Sequence, residues 1–327
     1  MIYTLTLNPA VDRELVVPAI EFDSVLRATA WRVDFGGKGF NVSRMLASLH
    51  TPSVAIGFAG GPSGELLRDG LAGLGIETDF VWIPGETRTN VSIVSEGRDH
   101  YVKANEPGPA VSAGEQQELI DKISALAKAR DWWVLAGSLP PGVPDSMYAQ
   151  IIHLIREAGA FAVLDSSGSA LLAGCEAGPY LVKPNALEAQ HLTGLPVDHM
   201  GQIATAAAAI QAMGVAQVAI SLGKDGAILA DGQEAWLAAS APIEERNPIG
   251  AGDSMVAGLV WGLSQGYAPL EALKWGVACG AGTASLSGTE VASYKLVESL
   301  AARVKTRPIA VRTRMNCGWR RRAPLSG

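Results

Sequence analysis

Cysteine is scarce. Only Cys175, Cys279 and Cys317 occur, and no two stand in a C-x-x-C spacing. That excludes a disulfide scaffold and a thiolate metal knuckle, and an odd, scattered set suits a reducing cytoplasm. Long apolar runs are missing too, so no membrane span is expected. The nearest candidate, residues 203–220, is alanine-rich and broken by Thr205, Gln211 and Gln217. No basic stretch leads into an apolar run at the N-terminus, so no signal peptide is expected. The five histidines show no H-E-x-x-H or other paired spacing, which speaks against a catalytic zinc. There is no G-x-G-x-x-G, and neither Gly-Lys pair is followed by Ser or Thr, so dinucleotide and P-loop signatures are absent. A net charge of −6 argues against a nucleic-acid partner. The G-x-S-x-G at Gly262–Gly266 follows a helical pattern instead of a strand, so it does not read as a hydrolase elbow.

What is present is a chain of 327 residues, 48% of them apolar, with 37 glycines. This is enough for one large α/β domain with additions. Strand patterns at 2–7, 53–58, 132–136, 161–164, 180–182 and 215–221 alternate with helical ones at 40–49, 65–74, 113–129, 145–158, 186–192 and 203–213. Helical patterns fill 250–265, 269–287 and 291–305, after a hairpin at 227–237. Such alternation implies parallel βαβ units with helices on both faces of one sheet. Two β-rich stretches break the rhythm, with strands expected at 15–20, 25–35, 90–95 and 100–104. They could meet as a small second sheet. Residues 312–327 hold five arginines, no acid and no apolar periodicity, and are expected to be a disordered basic tail after a domain spanning 1–311.

Chemistry concentrates in a few places. Gly250-Ala251-Gly252-Asp253 opens an apolar helix. Bare amides and the helix dipole make an anion site there. A carboxylate at its edge either complements the dipole or takes a proton from a hydroxyl attacking the anion. Gly36-Gly37-Lys38-Gly39-Phe40-Asn41 starts another helix. Its glycines permit close approach, Lys38 offers a charge, and Asn41 a donor and an acceptor for a polyol. Polar groups also follow predicted strands: Asp12, Gly137-Ser138, Asp165-Ser166, Lys183-Pro184-Asn185 with Glu188, and Ser221-Leu222-Gly223 with Gly226. Carboxyl ends of parallel strands share one crevice, where open α/β sheets bind ligands.

Taken together, these residues resemble the PfkB (ribokinase-like) carbohydrate kinases, most of all the branch holding 1-phosphofructokinase and tagatose-6-phosphate kinase. The likeness runs in order from Ile2 to about Val304. It includes Asn8-Pro9-Ala10-Val11-Asp12, Thr87-Arg88-Thr89-Asn90, Gly137–Gly142 and both glycine-rich signatures. The resemblance implies a three-layer α/β/α sandwich with a small β-sheet lid over about 13–35 and 87–104, often a dimer contact. A homodimer is therefore expected, with Leu15, Val17, Val33, Val91 and Ile93 as its apolar face. It implies ATP and Mg2+. Asp253 would be the general base, with Gly250, Ala251 and Gly252 as an anion hole for the transferring phosphoryl group. Lys183, Asn185, Ser221, Gly223 and Gly226 would line the ATP side, and Glu188 would act on magnesium through water. Asp12, Gly37, Lys38, Asn41 and Ser138 would face the sugar, and Arg88 and Lys103 would hold the substrate's own phosphate.

The expected reaction is phosphorylation of fructose 1-phosphate at O6, with tagatose 6-phosphate and fructose 6-phosphate as alternatives. Lys38 speaks against fructose 6-phosphate, because the family's minor 6-phosphofructokinases look all-glycine there, whereas the 1-phosphofructokinase and tagatose-6-phosphate kinase branches look like Gly-Gly-Lys-Gly. Val25 agrees, since those enzymes look to carry a lysine near it. A catalytically silent sugar-phosphate-binding regulator would not need Asp253 or the anion hole. One departure stands out: Asn247-Pro248-Ile249 occupies the place where this branch more often has Ser-Thr-Val.

Overall fold

The computed structural model describes residues 1–97, 100–232 and 234–309. The basic tail at 312–327, with its expected disorder and Cys317, lies outside the described residues. So do residues 98–99, between the strands expected at 90–95 and 100–104.

Ten strands form one mixed sheet, in the order Lys305–Pro308, Glu234–Ala239, Ala227–Asp231, Gln217–Ser221, Leu181–Val182, Phe161–Asp165, Trp132–Ala136, Ile2–Thr6, Val54–Ala59 and Glu77–Trp82. The seven from Gln217–Ser221 onward are parallel, and the first three are joined antiparallel. The central strands are buried on both faces, which explains their continuous apolar runs. Successive side chains serve opposite layers. Trp133 stacks on Tyr3 at 4.2 Å in one layer, and Trp132 on Phe161 at 4.6 Å in the other.

Helices Ala113–Leu126, Met147–Glu157, Gly168–Glu176 and Met200–Gln211 flank one face. Lys38–Ser48, Ala251–Ser264, Pro269–Ala284 and Tyr294–Ala301 flank the other. Helix Ala251–Ser264 is buried continuously from Asp253 to Leu263, so its N-terminus is held firmly at the carboxyl ends of the central strands. No helix among the described residues is long and apolar enough to cross a membrane.

The chain leaves Ile2–Thr6, builds Val54–Ala59 on one side, and later crosses to Trp132–Ala136 on the other. That reversal opens a crevice at the carboxyl ends of the strands. Above it lies a second sheet of four strands, Ala30–Gly36, Ala10–Val17, Arg88–Ser95 and Tyr101–Asn105 in that order.

Several elements depart from the sequence expectation. The second sheet's first strand starts at Ala10, not 15, so Asp12 lies within a lid strand instead of a loop. Its partner starts at Ala30, and 18–29 carries no strand, because the exposed Pro18 supplies no ladder amide. Strand Glu77–Trp82, helix Gly168–Glu176 and strand Lys305–Pro308 were not expected. The first and last are sheet-edge strands, and the last is mostly exposed and has charged residues, so neither shows the strong apolar pattern of a central strand.

Candidate active site

The crevice holds a cavity of about 560 Å³ between the two sheets. Polar groups from both wall it: Asp12, Arg88, Asn90 and Lys103 from the lid, and Lys38, Asn41, Ser138, Asp165, Lys183, Asn185, Glu188 and Asp253 from below. A second pocket of about 200 Å³ lies beside it, lined by Gly223, Lys224, Gly226, Ile243, Pro248, Met255, Val277, Ala281 and Ala284. Ser221 and Gly252 line both chambers, so helix Ala251–Ser264 begins at their junction.

That beginning is shaped by its sequence. Gly250 sits at φ 78°, a left-handed conformation that side chains resist, and it caps the helix without a side-chain bond. Gly250 and Gly252 face the larger cavity with Asp253. Ala251 does not. It lines the smaller pocket, and its amide donates to the Pro248 carbonyl at 3.2 Å. The Asn247-Pro248-Ile249 departure has a local role here. Asn247 Oδ1 accepts from the Ile249 amide at 3.0 Å, and its Nδ2 donates to the Gly288 carbonyl, so the turn is tied down without a hydroxyl.

Asp253 is 7% exposed. Burial, reinforced by the nearby Asp165 carboxylate, pushes its pKa up to about 6. The amide of Asn41, donating from Nδ2 to Oδ2 at 2.8 Å, and the ammonium groups of Lys38 and Lys183 oppose that rise. A carboxylate poised near 6 is ionised at neutral pH and still able to take a proton.

Asp165 ends strand Phe161–Asp165 almost fully buried and bridges two lysines. Lys38 Nζ donates to its Oδ1 at 3.1 Å, and Lys183 Nζ lies 3.5 Å from its Oδ2. Burial would lower the Lys38 pKa, but Asp165 and Asp253 outweigh it and raise it, so Lys38 stays charged. Sequence reasoning placed Asp165 at a strand end without giving it this role. The only signal was an acid directly after a buried strand. Lys38 lines the larger cavity with Asp12, Gly37, Asn41 and Ser138, and is held there beside Asp165.

On the lid, Asp12 Oδ1 accepts from Asn90 Nδ2 at 2.8 Å. A side chain at Gly36 would stand 2.0 Å from Asp12 Oδ2, so this glycine makes room for the carboxylate. Arg88 donates to the carbonyls of Asn8 at 2.8 Å, Pro9 at 3.4 Å and Glu106 at 3.0 Å. It therefore also knits the lid's entrance together while facing the cavity. Lys103 projects from the exposed strand Tyr101–Asn105.

Asn185 and Glu188 form a reciprocal capping box on helix Ala186–Thr193, each bond 2.8 Å, so the N-x-x-E spacing has a local structural use as well. Among the described residues no group of three or more His, Cys, Asp or Glu side chains is placed to hold a metal ion. The described residues therefore build no protein-only metal cage. That donor set does fit magnesium, which keeps water and phosphate ligands and takes one or two carboxylates. Glu188, at the cavity wall, is the residue that would serve it.

Residues 5–295 match the model of the pfkB family carbohydrate kinases. The chain is 35% identical to the 1-phosphofructokinase of Borreliella burgdorferi over 285 residues, covering 87% of this chain and 92% of that one. It is 33% identical to a tagatose-6-phosphate kinase of Staphylococcus epidermidis, covering 84% and 89% respectively. The crystal structure of phosphofructokinase-2 from Escherichia coli superposes with a TM-score of 0.88 at 32% identity, over 92% of this chain and 98% of that one.

Proposed function

The chain belongs to the pfkB family of carbohydrate kinases, and from that premise we propose that it transfers the γ-phosphoryl group of ATP to O6 of fructose 1-phosphate. The observation that carries this reading is the position of Asp253. It stands buried in the wall of a polar, cation-bearing chamber, one residue after Gly252, which lines both that chamber and a small apolar one.

The apolar pocket suits a nucleobase, with Gly223 and Gly226 letting the nucleotide lie close to the backbone. Its phosphates extend past Ser221 and Gly252 toward Lys183 and Asn185. The sugar lies in the polar chamber against Asp12, Gly37, Asn41 and Ser138. Its own phosphate meets Lys103 and the remaining guanidinium N–H groups of Arg88. The far hydroxyl then faces Asp253, which takes its proton as the oxygen attacks phosphorus. The amides of Gly250 and Gly252, with Lys38 and Lys183, stabilise charge on the phosphoryl oxygens. Magnesium, held with Glu188 and the phosphates, would neutralise charge on the leaving group.

Both 1- and 6-phosphates of ketohexoses put a free primary hydroxyl at the far end, so the substrate must be measured. The test is kcat/KM with ATP for fructose 1-phosphate, fructose 6-phosphate and tagatose 6-phosphate. A preference of about tenfold or more for a 6-phosphate would overturn the substrate and leave the kinase standing.

A homodimer through the lid belongs to the same reading. Trp31 and Tyr101, each 73% exposed, flank the lid's two edges, with Phe22, Val25 and Val102 also exposed. These replace the expected face, because Val17 is buried and Leu15, Val33, Val91 and Ile93 are half-buried within the subunit. A monomer by light scattering at micromolar concentration would count against it. Buried free thiols at Cys175 and Cys279 suit a cytoplasmic enzyme.

A further inference from the structure

We propose that Arg44 is a positioning residue for the base: its guanidinium fixes the amide of Asn41 in the one orientation that donates to Asp253. The proposal rests on Asp253 being the base, as read above.

Arg44 stands three residues after Asn41 on helix Lys38–Ser48, so the two side chains share a face. Its NH1 donates to Asn41 Oδ1 at 3.4 Å, and its NH2 to the Thr289 carbonyl at 2.9 Å. Asn41 passes this on, donating from Nδ2 to Asp253 Oδ2 at 2.8 Å. A side-chain amide has almost the same shape in both of its flipped states. Only the groups it faces distinguish them. If Asn41 flipped, its oxygen would meet the Asp253 carboxylate and its NH2 the guanidinium. Both contacts repel, so a permanent positive charge at 44 selects the donating state.

The surroundings hold Arg44 in place. It lines a recess of about 40 Å³ behind the base, with Asp12, Asp34, Asn41, Ser254 and Thr289. Thr289 is fixed in turn, its Oγ1 donating to Asp34 Oδ1 at 2.6 Å on lid strand Ala30–Gly36. Asp34 also accepts from Arg32 Nε at 2.7 Å. Burial weakens the Arg44 charge and Arg32 adds to that, while Asp34 and Asp12 support it. Arginine remains protonated throughout. The lid is thereby linked to the base through Asp34, Thr289, Arg44 and Asn41.

Two consequences follow for the reaction. Oδ2 is committed to Asn41, which leaves Oδ1 of Asp253 for the substrate's hydroxyl proton. The amide also favours the ionised base, alongside Lys38 and Lys183 and against Asp165. Without Arg44, Asn41 samples the flipped state and that support is lost, so the base needs a higher pH to ionise.

The experiment is the pH profile of kcat for wild type, Arg44→Met, Arg44→Gln, Arg44→Lys, Asn41→Ala and the Arg44→Met/Asn41→Ala pair, each with a melting curve. Arg44→Met and Arg44→Gln are expected to lose about fivefold near pH 6, approaching about tenfold near pH 5, and no more than about threefold near pH 8.5, a shift of the acid limb by about one unit. Arg44→Lys keeps the charge and stays close to wild type. The double variant shows the limb of Asn41→Ala and no further shift, since both act through one bond. The proposal is overturned if the folded neutral variants lose activity equally at all pH values, keep the wild-type limb, or add to Asn41→Ala. Asp253→Asn separates the two levels. If it keeps kcat within threefold of wild type, the base itself is wrong. If it is crippled while the Arg44 variants keep the wild-type limb, only the role of Arg44 fails.

Discussion

The two chambers on either side of Gly252 are built by opposite means. The larger is walled by charged and polar side chains: Asp12, Lys38, Asn41, Arg88, Asp165, Lys183 and Asp253. The smaller is walled mostly by glycine, alanine and aliphatic groups, with Ile243, Met255, Val277, Ala281 and Ala284 as its apolar surface and Lys224 and Glu245 as its charged rim residues. One chamber works by placed charge, the other by shape. Chemistry therefore fails on the first side when a functional group is removed, and on the second when a group is added.

The sharpest break of that contrast is on the charged side. Asp253→Asn removes the proton acceptor but keeps the amide-sized group against Asn41. We expect kcat to fall by about 10²–10⁴-fold, with nucleotide affinity retained. Steady-state kinetics and a nucleotide titration on the same preparation check both halves. A variant within threefold of wild type would remove Asp253 from the mechanism.

On the shape side, Ala284→Leu adds volume to a pocket of about 200 Å³ without touching a charge. The expected result is a KM for ATP raised about tenfold, with KM for the sugar phosphate unchanged. Equal rises in both would show that the chambers are not separable. Lys103→Ala is the smaller counterpart on the lid. Lys103 is exposed, so its pull on an anionic substrate is screened. KM for the sugar phosphate should rise about threefold to tenfold at low salt, and the difference should shrink at high salt. A salt-independent effect would argue for a packing role instead.

The same contrast governs what could be read from the sequence. The large chamber was largely legible because polar residues stand out after an apolar strand, as Lys183 and Asn185 do, or at a glycine-rich helix start, as Asp253 does. The small chamber announced itself only through Gly223 and Gly226. Its aliphatic wall looks like any helix core, as residues 269–284 show. Asp165 was visible as a position but not as a bridge, because its two lysines come from sequence distances of 127 and 18 residues. Arg44 was invisible for another reason. An arginine on a helix face reads as solvated, and the groups that enclose it, such as Asp34 and Thr289, come from other parts of the chain. In the fold, the central strands were legible because burial on both faces leaves an apolar run. Glu77–Trp82 and Lys305–Pro308 were not, being half-exposed edge strands with charged ends.

The smallest effect concerns stability, and it tests whether the charged chamber is strained by its own function. Asp253 has a pKa near 6 in the folded protein, against an unfolded value near about 3.9. The folded state therefore binds this proton more tightly than the unfolded chain. The stability contributed by this site is complete below about pH 4 and is lost as pH rises through 6. Above that, wild type holds an ionised carboxylate at 7% exposure next to Asp165. An asparagine there carries no charge to desolvate, and it can still accept from Asn41. Asp253→Asn is thus expected to melt above wild type at about pH 8, by about 2–5 °C. The gap should fall to about half near pH 5 and close only below about pH 4, where the carboxyl is protonated in the folded and the unfolded protein alike. Scanning calorimetry of both ligand-free proteins across that range is the check. If the variant melts below wild type at about pH 8, attraction from Lys38 and Lys183 outweighs burial, and the base is stabilised by its chamber instead of strained in it.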